Sequence, residues 1–212
     1  IKNTEDNVGI IALEENWTRT ADGLLSIEAN DRIYLNEKRD KYSEKELSEL
    51  FDRVIQKDRV FIHAHLGATD IDEIFSKLRY IIVGCECEWV IVDHLHMLVN
   101  VMTEGDERRG IDSLMNRLRS LVEETGVGLI LVSHLRRSQG IAQLSDCVIA
   151  LERNQQASNK KEANTTKVRV LKSRYTGDTG LACQLVYDSA TGRLYEDTEQ
   201  ESFDNEHTDL EF

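Results

Sequence analysis

Apolar residues along this chain fall into two kinds of run, and the two alternate. The first kind is short and continuous: Val8–Leu13, Arg59–His63, Trp89–Val92 and Val127–Ser133, each bounded by charged or turn-forming residues. Continuous β-branched stretches of this length fit strands buried on both faces of a parallel sheet, where alternation disappears. The second kind repeats every three or four residues: Leu24, Leu25 and Ile27; Leu47, Leu50, Phe51, Val54 and Ile55; Ile71, Ile74, Phe75 and Leu78; Ile111, Leu114, Met115, Leu118, Leu121 and Val122. That period places one apolar stripe along a helix. Strand, helix and strand in repeated succession predict an α/β fold, a mostly parallel sheet with helices on both faces.

The helix ends carry their own signals. Asn16 or Thr18 can cap the first helix through about Ala29, and Ser43-Glu-Lys-Glu46 is a capping box. Asp70 leads a helix through Ile82, and Gly126 stops a long one that starts near Asp106. Residues 30–42 are charged and irregular. Beyond Ser133 the pattern changes, with strands at Cys147–Glu152, Lys167–Lys172 and Leu181–Tyr187 and a polar loop over Asn154–Thr166. The D-S-A-T-G turn at 188–192 and Arg193–Tyr195 close an antiparallel C-terminal hairpin. Residues 1–195 are thus expected to form one core.

Charge changes the picture at one end. The formal net charge is −13, from 39 acids against 26 bases. Residues 196–212 hold eight acids and neither Lys nor Arg; without them 31 acids face the same 26 bases, which is −5. The acidity is largely a tail, too polar to fold alone, and a nucleic-acid groove in the body is not excluded. No apolar run is long enough to cross a bilayer, so no membrane partner is expected. Four scattered Cys suit a reducing cytoplasm. Cys85-x-Cys87 followed by His94-x-His96 lacks the ligand spacing of a zinc site, and structural packing is the preferred reading.

Three of the apolar runs end in polar groups: Glu14, Asp93 and His134. In an open α/β sheet, ligands bind beyond the carboxyl ends of the strands. Asp93 at such an end is either a holder of Mg²⁺ on nucleotide phosphates or a solvated residue that ends a strand. If the three strands are neighbours, the three side chains converge on one rim. Phosphoryl transfer needs a metal anchor, a group that orients the attacking water and one that senses the departing γ-phosphate.

Several strings together, L-E-E at 13–15, V-I-V-D-H at 90–94, V-S-H-L at 132–135, A-L-E-R-N-Q-Q at 150–156 and L-K-S-R-Y-T-G-D-T-G at 171–180, resemble the helicase domain of the replicative primase–helicase of short-tailed phages. That family of ring-shaped, RecA-like helicases includes mitochondrial Twinkle and the bacterial replicative helicase. The resemblance implies an NTP-driven DNA helicase that moves 5′ to 3′ on single-stranded DNA as a hexameric or heptameric ring, with ATP or dTTP and Mg²⁺ held between subunits. It implies roles by position. Glu14 would be the general base, Asp93 the Walker B carboxylate holding Mg²⁺, and His134 the link from γ-phosphate to the DNA-contacting loop. Lys172 and Arg174 would reach into the neighbouring subunit's site, Arg174 as an arginine finger. Arg153 and Tyr187 would sandwich the base, and Arg136 and Arg137 would contact DNA phosphates. The acidic tail ending in Phe212 would dock on the replicative DNA polymerase.

Two departures from the pattern stand out. No Walker A string, G-x-x-x-x-G-K-[ST], occurs in residues 1–212. The chain is therefore expected to be a piece of a longer protein and inactive alone. The family also carries a longer basic loop where Arg137 here adjoins Ser138, either deleted or missing from the sequence as it stands; the second is expected. Two rivals remain, another RecA-like ATPase such as a recombinase and a catalytically inactive DNA-binding module.

Overall fold

The computed structural model describes residues 5–55, 59–64, 70–95, 97–98, 107–134 and 139–197, in two compact units, 1–140 and 141–212. In the first unit the order is β1 (Asn7–Ala12), α1 (Trp17–Ala29), α2 (Asn36–Arg39), α3 (Glu44–Val54), β2 (Val60–Ala64), α4 (Ile71–Arg79), β3 (Cys87–Asp93), α5 (Glu107–Thr125) and β4 (Gly128–Leu131). The strands form one sheet in the order β2-β1-β3-β4, and every pairing is parallel. Parallel neighbours require a crossover between consecutive strands, which is where the helices lie.

Alternate residues of β1 meet different partners. Val8 and Ile10 pack with Val60 and with Leu24 of α1. On the other face, a Cβ at Gly9 would collide with Ile81, and Val90 lies next to it, so glycine is needed for that close approach. Both faces of the sheet are covered, as the apolar runs predict. Leu25, Ile33 and Leu50 join α1 to α3 in a second cluster. Asn16, not Thr18, caps α1 by accepting from Arg19 N–H at 2.9 Å, and the capping box at Ser43 and Glu46 forms in full.

Some expectations shift. Ile27 is exposed, and Ala21, Leu25 and Ser26 form the buried side of α1. The helix led by Asp70 ends at Arg79 and widens into a π turn over Tyr80–Gly84, which carries Ile81 under Gly9. Nor is every run buried on both sides. Trp89 is 44% exposed and Ile130 46%, because β4 is the last strand of its sheet and has a neighbour on one side only. Residues 30–42 include the one-turn helix α2.

The second unit holds β5 (Cys147–Arg153), α7 (Lys160–Asn164), β6 (Thr165–Ser173), β7 (Gly180–Tyr187) and β8 (Leu194–Glu196), and α6 (Gln139–Leu144) spans the boundary between units. The strands pair antiparallel in the order β5-β6-β7-β8, so the expected hairpin is the end of a four-stranded sheet. The polar loop predicted over 154–166 contains α7. Asn159 caps it by accepting from Lys161 N–H at 2.9 Å, a local bond that overrides the lack of an apolar stripe.

Candidate functional site

The rim predicted from three strand ends exists within the first unit. Ala12 lies opposite Asp93 in the sheet register, and Val92 opposite Leu131. The hydrogen bonding continues past the strands: Leu13 N–H donates to the Asp93 carbonyl at 2.6 Å, Val132 N–H to the Val92 carbonyl at 3.0 Å, and Leu95 N–H to the Val132 carbonyl at 2.9 Å. These bonds fix the backbone on which Glu14, Asp93 and His134 stand. Backbone position is thereby settled before any side chain acts.

His94 joins two of the three. Its Nδ1 lies 3.3 Å from Glu14 Oε2, and its ring meets that of His134 edge to face, with centroids 4.3 Å apart and planes at 68°. A carboxylate only accepts, so Nδ1 carries the hydrogen of this bond. The side chain of His94 is 10% exposed and that of Glu14 65%. Asp93 and His134 are also exposed, so the rim presents a carboxylate from each of two strands and an imidazole to solvent around one buried ring.

Asp93 suits a metal that brings most of its ligands with it. Among the described residues no group of three or more His, Cys, Asp or Glu is arranged to hold an ion alone. Mg²⁺ on a nucleotide needs one or two carboxylates beside water and phosphate oxygens. Cys85 and Cys87 lie at the start of β3, at the opposite end from His94. Burial and the neighbouring Cys85 and Glu88 push the Cys87 thiol up to about 11, away from the thiolate a zinc site needs.

In the second unit, Lys172 and Arg174 both turn onto one segment. Lys172 Nζ donates to the carbonyls of Ala142 and Gln143 at 2.8 and 2.9 Å. Arg174 Nη1 pairs with Asp146 Oδ1 at 2.9 Å, and its N–H donates to the Asp146 carbonyl at 2.8 Å. The turn after β6 is tied by Ser173 and Thr176, whose hydroxyls lie 2.8 Å apart, and by Gly177 at φ +74°, a conformation that suits glycine. That accounts for the spacing of R-Y-T-G-D-T-G. The turn leaves Tyr175 84% exposed.

Arg153 and Tyr187 do come together, but not as two sides of a slot. The Arg153 guanidinium carbon lies 5.4 Å from the Tyr187 ring centroid, and its nitrogens donate to the Ala163 carbonyl and the Asn164 side chain at 2.7 and 3.0 Å. A base between them would need roughly twice a ring-stacking distance of at least 4.5 Å. In the arrangement seen, a base has room only on the outside of the pair. Arg136 and Arg137, and the tail from 198 to Phe212, lie outside the described residues.

Two residues escaped the sequence reading. His94 drew notice only for its spacing from the cysteines, although a polar residue next to a strand-ending Asp was signal enough to include it in the rim. Asp146 gives no local sign, because its ion pair depends on how β5 meets β6.

Comparison with known proteins agrees with this arrangement. Residues 1–196 match the DnaB-like helicase C terminal domain family. The chain is 31% identical over 211 residues to a DNA helicase/primase of Enterobacteria phage T3, covering 88% of this chain and 36% of that protein. Among solved structures it resembles the ATPase domain of a helicase, with a TM-score of 0.72, 20% identity, and coverage of 90% of this chain and 74% of that one. A KaiC-like protein of Pyrococcus horikoshii gives 0.63 at 11% identity, over 92% and 77%. The fold is thus the RecA-like one expected from the strand pattern. With the parallel sheet, its strand-end rim and a family match running from Ile1 to Glu196, the chain belongs to the DnaB-like helicase C-terminal domain family.

Proposed function

We propose that this chain is the motor domain of an NTP-driven replicative DNA helicase that moves 5′ to 3′ along single-stranded DNA as a ring, with each nucleotide, ATP or dTTP, held between subunits. Family membership supports this reading, and one observation carries it: Glu14 and His134, from different strands, meet at His94 beside the exposed carboxylate of Asp93. Mg²⁺, when bound with the nucleotide, supplies neutralisation of phosphate charge. Asp93 is the carboxylate that fits it. Glu14 is placed to orient and deprotonate the attacking water, and its exposure leaves room for one. His134 faces the same opening and is suited to report the γ-phosphate to the segment that follows it, where Arg136 and Arg137 would meet DNA phosphates.

Lys172 and Arg174 would serve the site of the adjacent subunit, Arg174 by stabilising transition-state charge. Arg153 and Tyr187 would offer the outer face of their stacked pair to the base. The acidic segment ending in Phe212 would steer toward a basic patch on a DNA polymerase. All this belongs to the cytoplasm of the cell in which the DNA is copied.

The chain spans 36% of the length of the phage relative, so the test uses the complete product of the parent gene. Purified with Mg²⁺ and ATP or dTTP, it should hydrolyse nucleotide faster when single-stranded DNA is added. It should also unwind a forked duplex that offers a 5′ tail. Hydrolysis indifferent to DNA, or none, would remove the helicase reading.

A further inference from the structure

Glu14 and His134 are exposed side chains on separate strand ends, and each would rotate freely without a neighbour to hold it. The group between them is different. His94 is nine-tenths buried, so the protein around it limits the ring to a narrow range of positions. It bonds Glu14 through Nδ1 and meets the ring of His134 edge-on. We infer that His94 is a positioning residue that couples His134 to Glu14: a shift of the His134 ring changes where the His94 ring sits, and with it where the Glu14 carboxylate points.

The inference rests on the proposed nucleotide-hydrolysing role of this rim and adds a path within it. If His134 moves when the γ-phosphate or DNA is engaged, a ring 4.3 Å away must follow or lose its contact. The hydrogen bond passes that movement to the oxygen that would hold the attacking water. The path depends on geometry and one N–H donor. Two other carboxylates are near in sequence but not joined to it: Glu15 pairs with Arg19 at 3.4 Å, and Asp93 keeps its carboxylate at the surface.

The test is a set of three substitutions in the complete protein, assayed for nucleotide hydrolysis with and without single-stranded DNA. His94→Leu keeps bulk but has no donor. His94→Asn places an amide N–H near the position of Nδ1, and His94→Gln places one nearer Nε2. His94→Leu and His94→Gln should lower DNA-stimulated kcat by about 10- to 100-fold with KM for nucleotide unchanged, as misplacing a catalytic group does. His94→Asn should recover most of the loss. A thermal midpoint close to that of the parent in all three separates this from unfolding. If Leu retains the parental kcat, or Asn and Gln behave alike, or KM rises in step with a fallen midpoint, His94 only fills space and the inference fails. If the unsubstituted protein hydrolyses no nucleotide, the functional proposal fails first and takes this one with it.

Discussion

The strand-end rim and the basic hairpin hold their functional side chains in opposite ways. At the rim, backbone hydrogen bonds beyond β1, β3 and β4 fix the frame, and Glu14, Asp93 and His134 are left facing solvent. On the hairpin, Lys172 and Arg174 are already engaged by the Ala142 and Gln143 carbonyls and by Asp146. The first arrangement leaves valences free for a ligand that arrives. The second holds two cations at a defined place and leaves part of each for something presented from outside. A cation that must act on another subunit's nucleotide benefits from being held, since free rotation of a long side chain costs entropy at the moment of use.

The largest expected effect tests the hairpin. Arg174→Ala should lower kcat of the assembled protein by about 10³-fold or more while nucleotide still binds, the scale of losing an arginine finger. Mixing these subunits with Asp93→Ala subunits should restore some hydrolysis if the two residues serve one site from different chains. A twofold change would instead make the hairpin's ion pairs purely structural. Next comes the rim. Glu14→Gln keeps size and the ability to meet His94 but cannot take a proton, so kcat should fall about 10²- to 10⁴-fold with little change in KM. A change confined to KM would mean that Glu14 contacts the nucleotide without aiding its hydrolysis.

Asp146 separates the two regions more finely. The Arg174–Asp146 pair is partly exposed, so its worth to folding is at most about 1 kcal/mol. If its use is to orient Arg174, Asp146→Asn should cost about tenfold in kcat and leave the thermal midpoint nearly unchanged. If the midpoint falls and kcat holds, the pair belongs to the sheet and not to catalysis.

Much of the rim was legible in the chain because each part has a local cause. Trp89-Val-Ile-Val92 followed by Asp93 specifies both a central strand and what stands at its end, and parallel pairing then brings the ends together. What was not legible depends on neighbours. Whether Ile130 and Trp89 are covered depends on where β4 falls in the sheet order, which a run of apolar residues does not state. The same holds for side-chain pairs. The sequence suggests that Arg153 and Tyr187 belong together, but not that they touch each other across 5.4 Å. Asp146 as the partner of Arg174 emerges only from the register in which Cys147 meets Ser173. His94 lay in plain view beside Asp93, and its importance appears once its burial is known.

The smallest expected effect supplies the baseline for the others, at a cap remote from both regions in sequence and chemistry. Ser43 Oγ accepts from Glu46 N–H at 3.3 Å, and Glu46 accepts from the Ser43 N–H and hydroxyl at 2.8 and 2.7 Å. Those bonds from Ser43 hold the Glu46 carboxyl below its ordinary value. A carboxylate lowered on folding stabilises the protein above its unfolded value of about 4.3, and the contribution disappears as pH falls through the folded value. Ser43→Ala should therefore cost about 1 kcal/mol at neutral pH. The gap from the parent should narrow on acidification without closing, because the hydroxyl's bond from Glu46 N–H does not titrate. Thermal midpoints of the two proteins from neutral pH to below the carboxylate range measure it, and a gap that widens in acid would reverse the assignment. Nucleotide hydrolysis should be unchanged. If Ser43→Ala lowers kcat as far as Asp146→Asn does, then general loosening explains both, and the contrast between an open rim and a held hairpin loses its support.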